Sequence, residues 1–309
     1  MRARTGCLGP IRHEADKMMS FAFWEPVVIF TLINVILVTG LYITALSGQL
    51  SLATAAIAGI GGYAAAILTT NFGWLFILAI TVAVICGALV GAVIAALTVK
   101  MRDFILKLTT LAFGEAVAVV AFNIDYIGGA NSFTGIPLYS SLSVVVISTF
   151  VALYVAWRFD GSRLGFASRA VRDDPLAAAA TGVSVLWVRV VTFALGGAIV
   201  GGGGAIQAHY VLVLNPQELG FFISLTFIIF LLVGGIQSLW GPVAAAVVLT
   251  ILPEVTRFTA EYRLILYGAV IVLVVLFRPE GLITRRSTKS YGNNRLPTIG
   301  VPTSHSPDT

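Results

Sequence analysis

Charge is what this chain most lacks. Asp, Glu, Lys and Arg make up only 11% of its 309 residues, less than half of the roughly 25% in an ordinary soluble domain. That shortage, beside a 58% hydrophobic content, excludes a water-soluble globular protein. Cysteine is almost missing as well: Cys7 stands in the polar N-terminal stretch and Cys86 inside an apolar run. Neither a disulfide framework nor a cysteine metal site can be built from that pair. The hydrophilic stretches hold no Ser/His/Asp set, no His-Glu-x-x-His and no carboxylate pair at catalytic spacing. An enzyme therefore has no chemistry to work with, and no cofactor or metal is implied. Gly201–Gly204 resembles a phosphate cradle, but Ala205, Ile206 and Gln207 follow it where a P-loop needs Lys and Ser or Thr. Nucleotide hydrolysis is excluded with it, and four glycines inside a span read as a close helix contact.

What the chain has in abundance is long apolar runs. A bilayer core takes about 20 apolar residues per helix, and such runs recur from one end to the other. The fold class is all-α, a polytopic transmembrane bundle of about eight spans: 23–46, 74–99, 104–124, 142–157, 186–211, 221–236, 242–257 and 262–277. The first run exceeds the ~7–15 residues of a signal-peptide core, so it is a retained span. Lys and Arg concentrate before residue 22, in 100–107, in 158–189 and from Arg278 onward, with Arg257 and Arg263 the exceptions. Under the positive-inside rule those four regions are cytoplasmic. The net charge of +5 then reports orientation and calls for no nucleic acid; the surrounding partner is membrane lipid. Both termini are expected in the cytoplasm. Residues 1–22 form an N-terminal segment, 23–283 the transmembrane domain, and 284–309 a disordered tail too poor in apolar residues to pack.

Parity leaves 50–70 as a segment that enters and returns on one side. Gly59, Gly61 and Gly62 in its middle offer two readings: a broken or re-entrant helix lining a pathway, or a glycine-rich packing face. A second glycine-rich stretch, Gly234-Gly235 to Gly241-Pro242, loosely echoes Ser47-Gly48-Gln49 and hints at two related halves, although such punctuation is also ordinary turn chemistry. Ionisable groups inside spans are costly and often functional; Glu115 is the leading case, either as a relay or gate or as a carboxylate satisfied by Thr109 and Thr110. His209 reads as an interfacial residue near the end of its span. The polar stretch 158–189 is the longest that must face water on the basic side. In it, Asp174 as N-cap and Pro175 in the first turn start a short helix that Thr181-Gly182 ends.

Six stretches carry a family resemblance: Ser47-Gly-Gln-Leu-Ser-Leu52 with Gly59-Ile-Gly-Gly-Tyr63, Thr110-Leu-Ala-Phe-Gly-Glu115, Thr134-Gly-Ile-Pro137, Arg169-Ala-Val-Arg-Asp-Asp174, Gly234–Pro242 and Arg278-Pro-Glu-Gly-Leu282. From about Gly40 to Leu282 the chain resembles the permease subunits of branched-chain amino acid ABC importers. The resemblance implies a multi-pass inner-membrane permease that works by alternating access. Its partners would be cytoplasmic ATP-binding subunits, a homologous second permease and an extracytoplasmic solute-binding protein. It also implies that 158–189 is the loop that couples to the ATPases, with Arg169, Arg172, Asp173, Asp174, Pro175 and Gly182 as its marked residues and Ala177–Ala180 as its packed surface. Gln49, Ser51, Thr54, Thr110 and Glu115 are the expected pathway residues. Ala53-Thr54 where the family has Gly-His, Pro175 at a commonly acidic position and Gln237 for a frequent Gly bear on the solute, which could also be urea or a short amide. A different class, an ion-coupled secondary carrier with Glu115 as its proton site, stays open from the residues alone.

Overall fold

The computed structural model describes residues 9–99, 101, 103–255 and 268. The segments 1–8 and 284–309 and the expected span 262–277 lie outside the described residues, Gly268 excepted. Ten α-helices follow in order: α1 Gly9–Ala45, α2 Thr54–Thr70, α3 Phe76–Thr98, α4 Asp103–Asn123, α5 Leu142–Asp160, α6 Arg163–Asp173, α7 Pro175–Ala180, α8 Val185–Val211, α9 Phe221–Gly234 and α10 Trp240–Val255. The one sheet among the described residues is a two-residue ladder pairing Phe133 with Leu214 and Thr134 with Val213. Among the described residues five helices are long and apolar enough to cross a membrane: Trp24–Ala45 of α1, α3, Phe104–Asn123 of α4, α5 and α8. The described residues also form three shorter apolar helices, α2, α9 and α10. The chain is an all-α membrane bundle, and seven of the eight expected spans are found as helices near their expected bounds.

Helix α8 is the central post. Gly201 lies against Ala83 and Gly87 of α3, Gly197 against Gly87, and Gly91 against Phe193, contacts that run in opposite order along the two helices. Gly40 of α1 meets Gly196 and Val200 in the same antiparallel sense. With α2 the order is parallel: Gly61 rests on Gly201, and Thr69 bonds to His209. A Cβ built on Gly61, Gly87, Gly91 or Gly204 would run into the facing backbone. Small residues thus let four helices approach to backbone contact, the way packing is achieved where lipid is as apolar as the side chains.

This packing corrects two expectations. Helix α2 is continuous through Gly59, Gly61 and Gly62, so those glycines form a packing face and no break. Helix α2 is shorter than the five spanning helices and lies parallel to α8 along the later part of that helix, from Ala58 against Gly204 to Thr69 against His209. It is the C-terminal end of α1 that meets the 158–189 stretch, where the Tyr42 hydroxyl donates to Asp160 at 3.1 Å and Gly48 rests on Arg172. The expected arrangement put the opposite end of that span beside the loop, because charge statistics alone cannot see this contact. The irregular backbone sits instead at 46–53, between α1 and α2, turned by Gly48 at φ +81°. Gly235, at φ +92°, makes the corresponding link between α9 and α10, so the two echoing sequences do serve similar joints.

Outward faces of α3 and α5 carry Ile77, Leu89, Ile147 and Phe150, all strongly exposed, as a lipid-solvated surface requires. Replacing Gly201 by Val should force α8 away from α3 and cost about 3 kcal/mol or more, read as a collapse of thermal stability in detergent. Gly161→Ala, whose added Cβ meets nothing nearer than 3.7 Å, should leave it unchanged.

Candidate functional site

Two regions hold the candidate residues: the elbow between α1 and α2 with α4 beside it, and the α6–α7 pair. The first is the elbow 46–53. Its backbone has left helical geometry inside the bundle, so its polar groups need partners from outside. The Leu52 N–H donates to Thr110 Oγ1 at 3.0 Å, the Ala53 N–H to Ser51 Oγ at 3.2 Å, and the Ala55 N–H to Ser224 Oγ of α9 at 3.1 Å. Thr192 Oγ1 of α8 donates to Ser47 Oγ at 3.2 Å. Gln49, Ser51, Thr54 and Thr110 are therefore brought together, all buried within this chain. Gln49 is the exception to the satisfied set: both its amide atoms are buried without a hydrogen-bond partner among the described residues.

Glu115 lies further along α4, midway through the span Phe104–Asn123, and it is exposed at the surface of the bundle. Its Oε1 accepts the Phe221 N–H at 2.7 Å, so the carboxylate caps the first turn of α9, where a negative group is favoured. Thr109 and Thr110 do not hold it. Thr109 donates to the Ile105 carbonyl at 2.9 Å and Thr110 to that of Lys107 at 3.1 Å, the usual back-bonds of hydroxyls on helices. A 290 Å³ cleft adjoins Glu115, lined by Ala118, Val119, Phe122, Pro216, Gln217, Gly220, Phe221 and Phe222.

The second region is α6–α7. Asp174 Oδ1 accepts the N–H groups of Leu176 and Ala177 at 2.9 and 3.1 Å, and Pro175 occupies the first turn, as the sequence pattern required. Gly182, at φ +87°, closes the helix with its N–H bonded to the Ala179 carbonyl. Ala178 is buried with Val171 and Val188 in a small core, so of Ala177–Ala180 only Ala178 packs inward. Arg169 also turns inward. It pairs with Asp160, donates to the Asp160 carbonyl at 2.9 Å and lies over the Phe166 ring at 4.7 Å. Arg172 reaches Asp173 at 3.3 Å, a largely exposed contact of little energetic weight. Leu176 projects from this polar surface at 83% exposure.

Sequence reasoning missed three tethers. Tyr42, Asp160 and Arg169 form one group that seats α6 on α1 and α5. Arg189 donates to the Val99 carbonyl at 2.8 Å, fixing the end of α3. His209, expected at an interface, is fully buried: its ring bonds to Thr69 at 2.9 Å and the Ala205 carbonyl at 2.8 Å and packs on Phe76 and Tyr139. Only the low cost of placing a histidine among good partners explains such burial, and a lone histidine in an apolar run gives no sign of them. Among the described residues no group of three His, Cys, Asp or Glu could hold a metal.

The sequence model of the family described as branched-chain amino acid transport system / permease component matches residues 25–275, and the chain belongs to that family. It is 27% identical to the high-affinity branched-chain amino acid transport system permease protein LivM of Salmonella typhimurium, over 82% of this chain and 68% of that protein. The probable branched-chain amino acid transport permease protein LivM of Methanocaldococcus jannaschii is 25% identical over 69% of each chain. LivH of Escherichia coli, a second permease protein of the high-affinity system, is 27% identical over 53% of this chain and 54% of its own length. No solved structure matches the chain.

Converting Thr110 to Val would leave the Leu52 N–H buried without an acceptor. The expected loss is about 1–3 kcal/mol, measured by thermal unfolding, with Thr110→Ser recovering most of it.

Proposed function

We propose that this chain is the membrane permease subunit of an ATP-binding cassette importer that moves a branched-chain amino acid or a similar small polar solute. The observation that carries this reading is the mechanical continuity from α6–α7 to the elbow. Arg172, at the end of α6, lies directly on Gly48, and the elbow in turn grips α4 through Thr110 and α9 through Ser224. A displacement of α6–α7 by a bound ATPase would thus reach both helices that meet at Glu115. Membership of the permease family and the pairing of LivM-type and LivH-type relatives support cytoplasmic ATP-binding subunits, a homologous second permease and a solute-binding protein as partners.

The α6–α7 end is the cytoplasmic one on this reading, because Lys107, Arg158, Arg163, Arg169, Arg172 and Arg189 gather there. On this reading the Trp24 end of α1 faces the other side, at odds with the cytoplasmic N-terminus expected from the basic residues before position 22. In the transport cycle, ATP binding would draw the ATPases together, α6–α7 would follow, and the elbow would tilt α4 and α9 so that access alternates.

Leu176, with Asp173 and Asp174 beside it, is the contact expected to enter an ATPase groove. Leu176→Glu should abolish co-purification of the ATP-binding subunit while the chain still inserts and elutes as a single species. Undiminished ATPase recovery from that variant would remove α7 as the docking element.

A further inference from the structure

The Glu115 cleft has the chemistry of a binding site. A carboxylate halfway through a span is several kcal/mol too costly to leave facing lipid, yet Glu115 is exposed from this chain and takes part in no salt bridge among the described residues. One oxygen is committed to the Phe221 N–H; the other has no hydrogen bond among the described residues. Gly220 makes the approach possible, because a Cβ there would stand 3.0 Å from Oε1 and 3.6 Å from Oε2. Around the carboxylate the cleft is almost wholly apolar: Ala118, Val119 and Phe122 from α4, Pro216 from the preceding turn, Phe221 and Phe222 from α9, with Gln217 the other polar side chain. Its 290 Å³ lies at the small end of ligand pockets, which run from about 300 to 1,000 Å³.

We propose that this cleft is a solute site on the translocation pathway, where Glu115 takes an ammonium group and Val119, Phe122 and Phe222 take a short aliphatic side chain. The assignment rests on the importer reading above and adds the recognition step within the membrane. A donor is selected because the free oxygen can only accept, a cationic one most strongly, and an aliphatic group because Gln217 is the one other polar side chain in a lining that is otherwise apolar. Since Phe221 N–H and solute share the carboxylate, binding also reaches the first turn of α9, the helix that the elbow holds at Ser224.

The test uses the purified full-length chain with its co-purifying subunits and no solute-binding protein. Thermal unfolding is followed with leucine, with 3-methylbutan-1-amine, which lacks the carboxyl group, and with 4-methylpentanoate, which lacks the ammonium group. Leucine and the amine should raise Tm and the acid should not. Glu115→Gln should weaken the apparent affinity for the amine by about 10- to 100-fold, the worth of a charge-assisted hydrogen bond. Val119→Trp, which fills the cleft and keeps the carboxylate, should abolish both shifts and decides the matter if Glu115→Gln does not fold. An acid as effective as the amine, or an amine effect undiminished in Glu115→Gln, overturns the assignment. Absence of any ATP-binding subunit from the preparation overturns the importer reading instead, while the ligand shifts still judge the cleft.

Discussion

Backbone contact around α8 is the constraint on which the rest of the molecule depends. In a bilayer, apolar side chains gain little by leaving lipid for one another, so cohesion must come from dispersion at very short range. Glycines at 196, 197, 201 and 204 let α1, α2 and α3 approach until their own backbones touch α8. No larger residue could stand at these points without separating the helices. Each helix seated this way fixes a second feature: α3 is pinned by Arg189 at Val99, α2 by His209 at Thr69, and α1 by Thr192 at Ser47.

Around that post the remaining contacts form a chain. Helix α6 is tied to α5 and α1 by the Tyr42, Asp160 and Arg169 group, and Arg172 at its end lies on Gly48. The elbow beyond Gly48 is the one buried stretch of irregular backbone between α1 and α2, and it is held by single hydroxyls of Thr110 and Ser224. Such joints are soft compared with glycine-packed helices, and Gln49, with its amide unpartnered, adds a buried polar group that gains from any rearrangement offering it a partner.

The chain also shows how a membrane bundle admits polar groups. Most hydroxyls on the spans turn back to a carbonyl on their own helix, as Thr31, Thr98 and Thr149 do. Others reach across elements: Thr110, Thr192 and Ser224 at the elbow, Thr69 to His209 and Thr250 to Asn34. Glu115 couples a span to the start of another apolar helix through the Phe221 N–H.

The sequence by itself determined the class of fold, most of the spans, the capped helix at Asp174-Pro175 and the marked character of Glu115. Each of these follows from local properties: run length, apolarity, capping chemistry and the cost of a charge in hydrocarbon. It also limited Gly201–Gly204 to a packing role by the residues that follow. Only the tertiary structure decided which glycines pack and which turn the chain, that Gly59 to Gly62 leave α2 unbroken while Gly48 does the bending, and that α1 presents its C-terminal end to the 158–189 stretch. It likewise decided the partners of Arg169, His209 and Glu115, turning Arg169 inward and giving Glu115 the backbone of α9 in place of its neighbouring threonines. These outcomes depend on contacts between residues far apart in the chain, such as Tyr42 with Asp160 and Glu115 with Phe221, and no local pattern of charge or hydropathy encodes which helix will stand beside which.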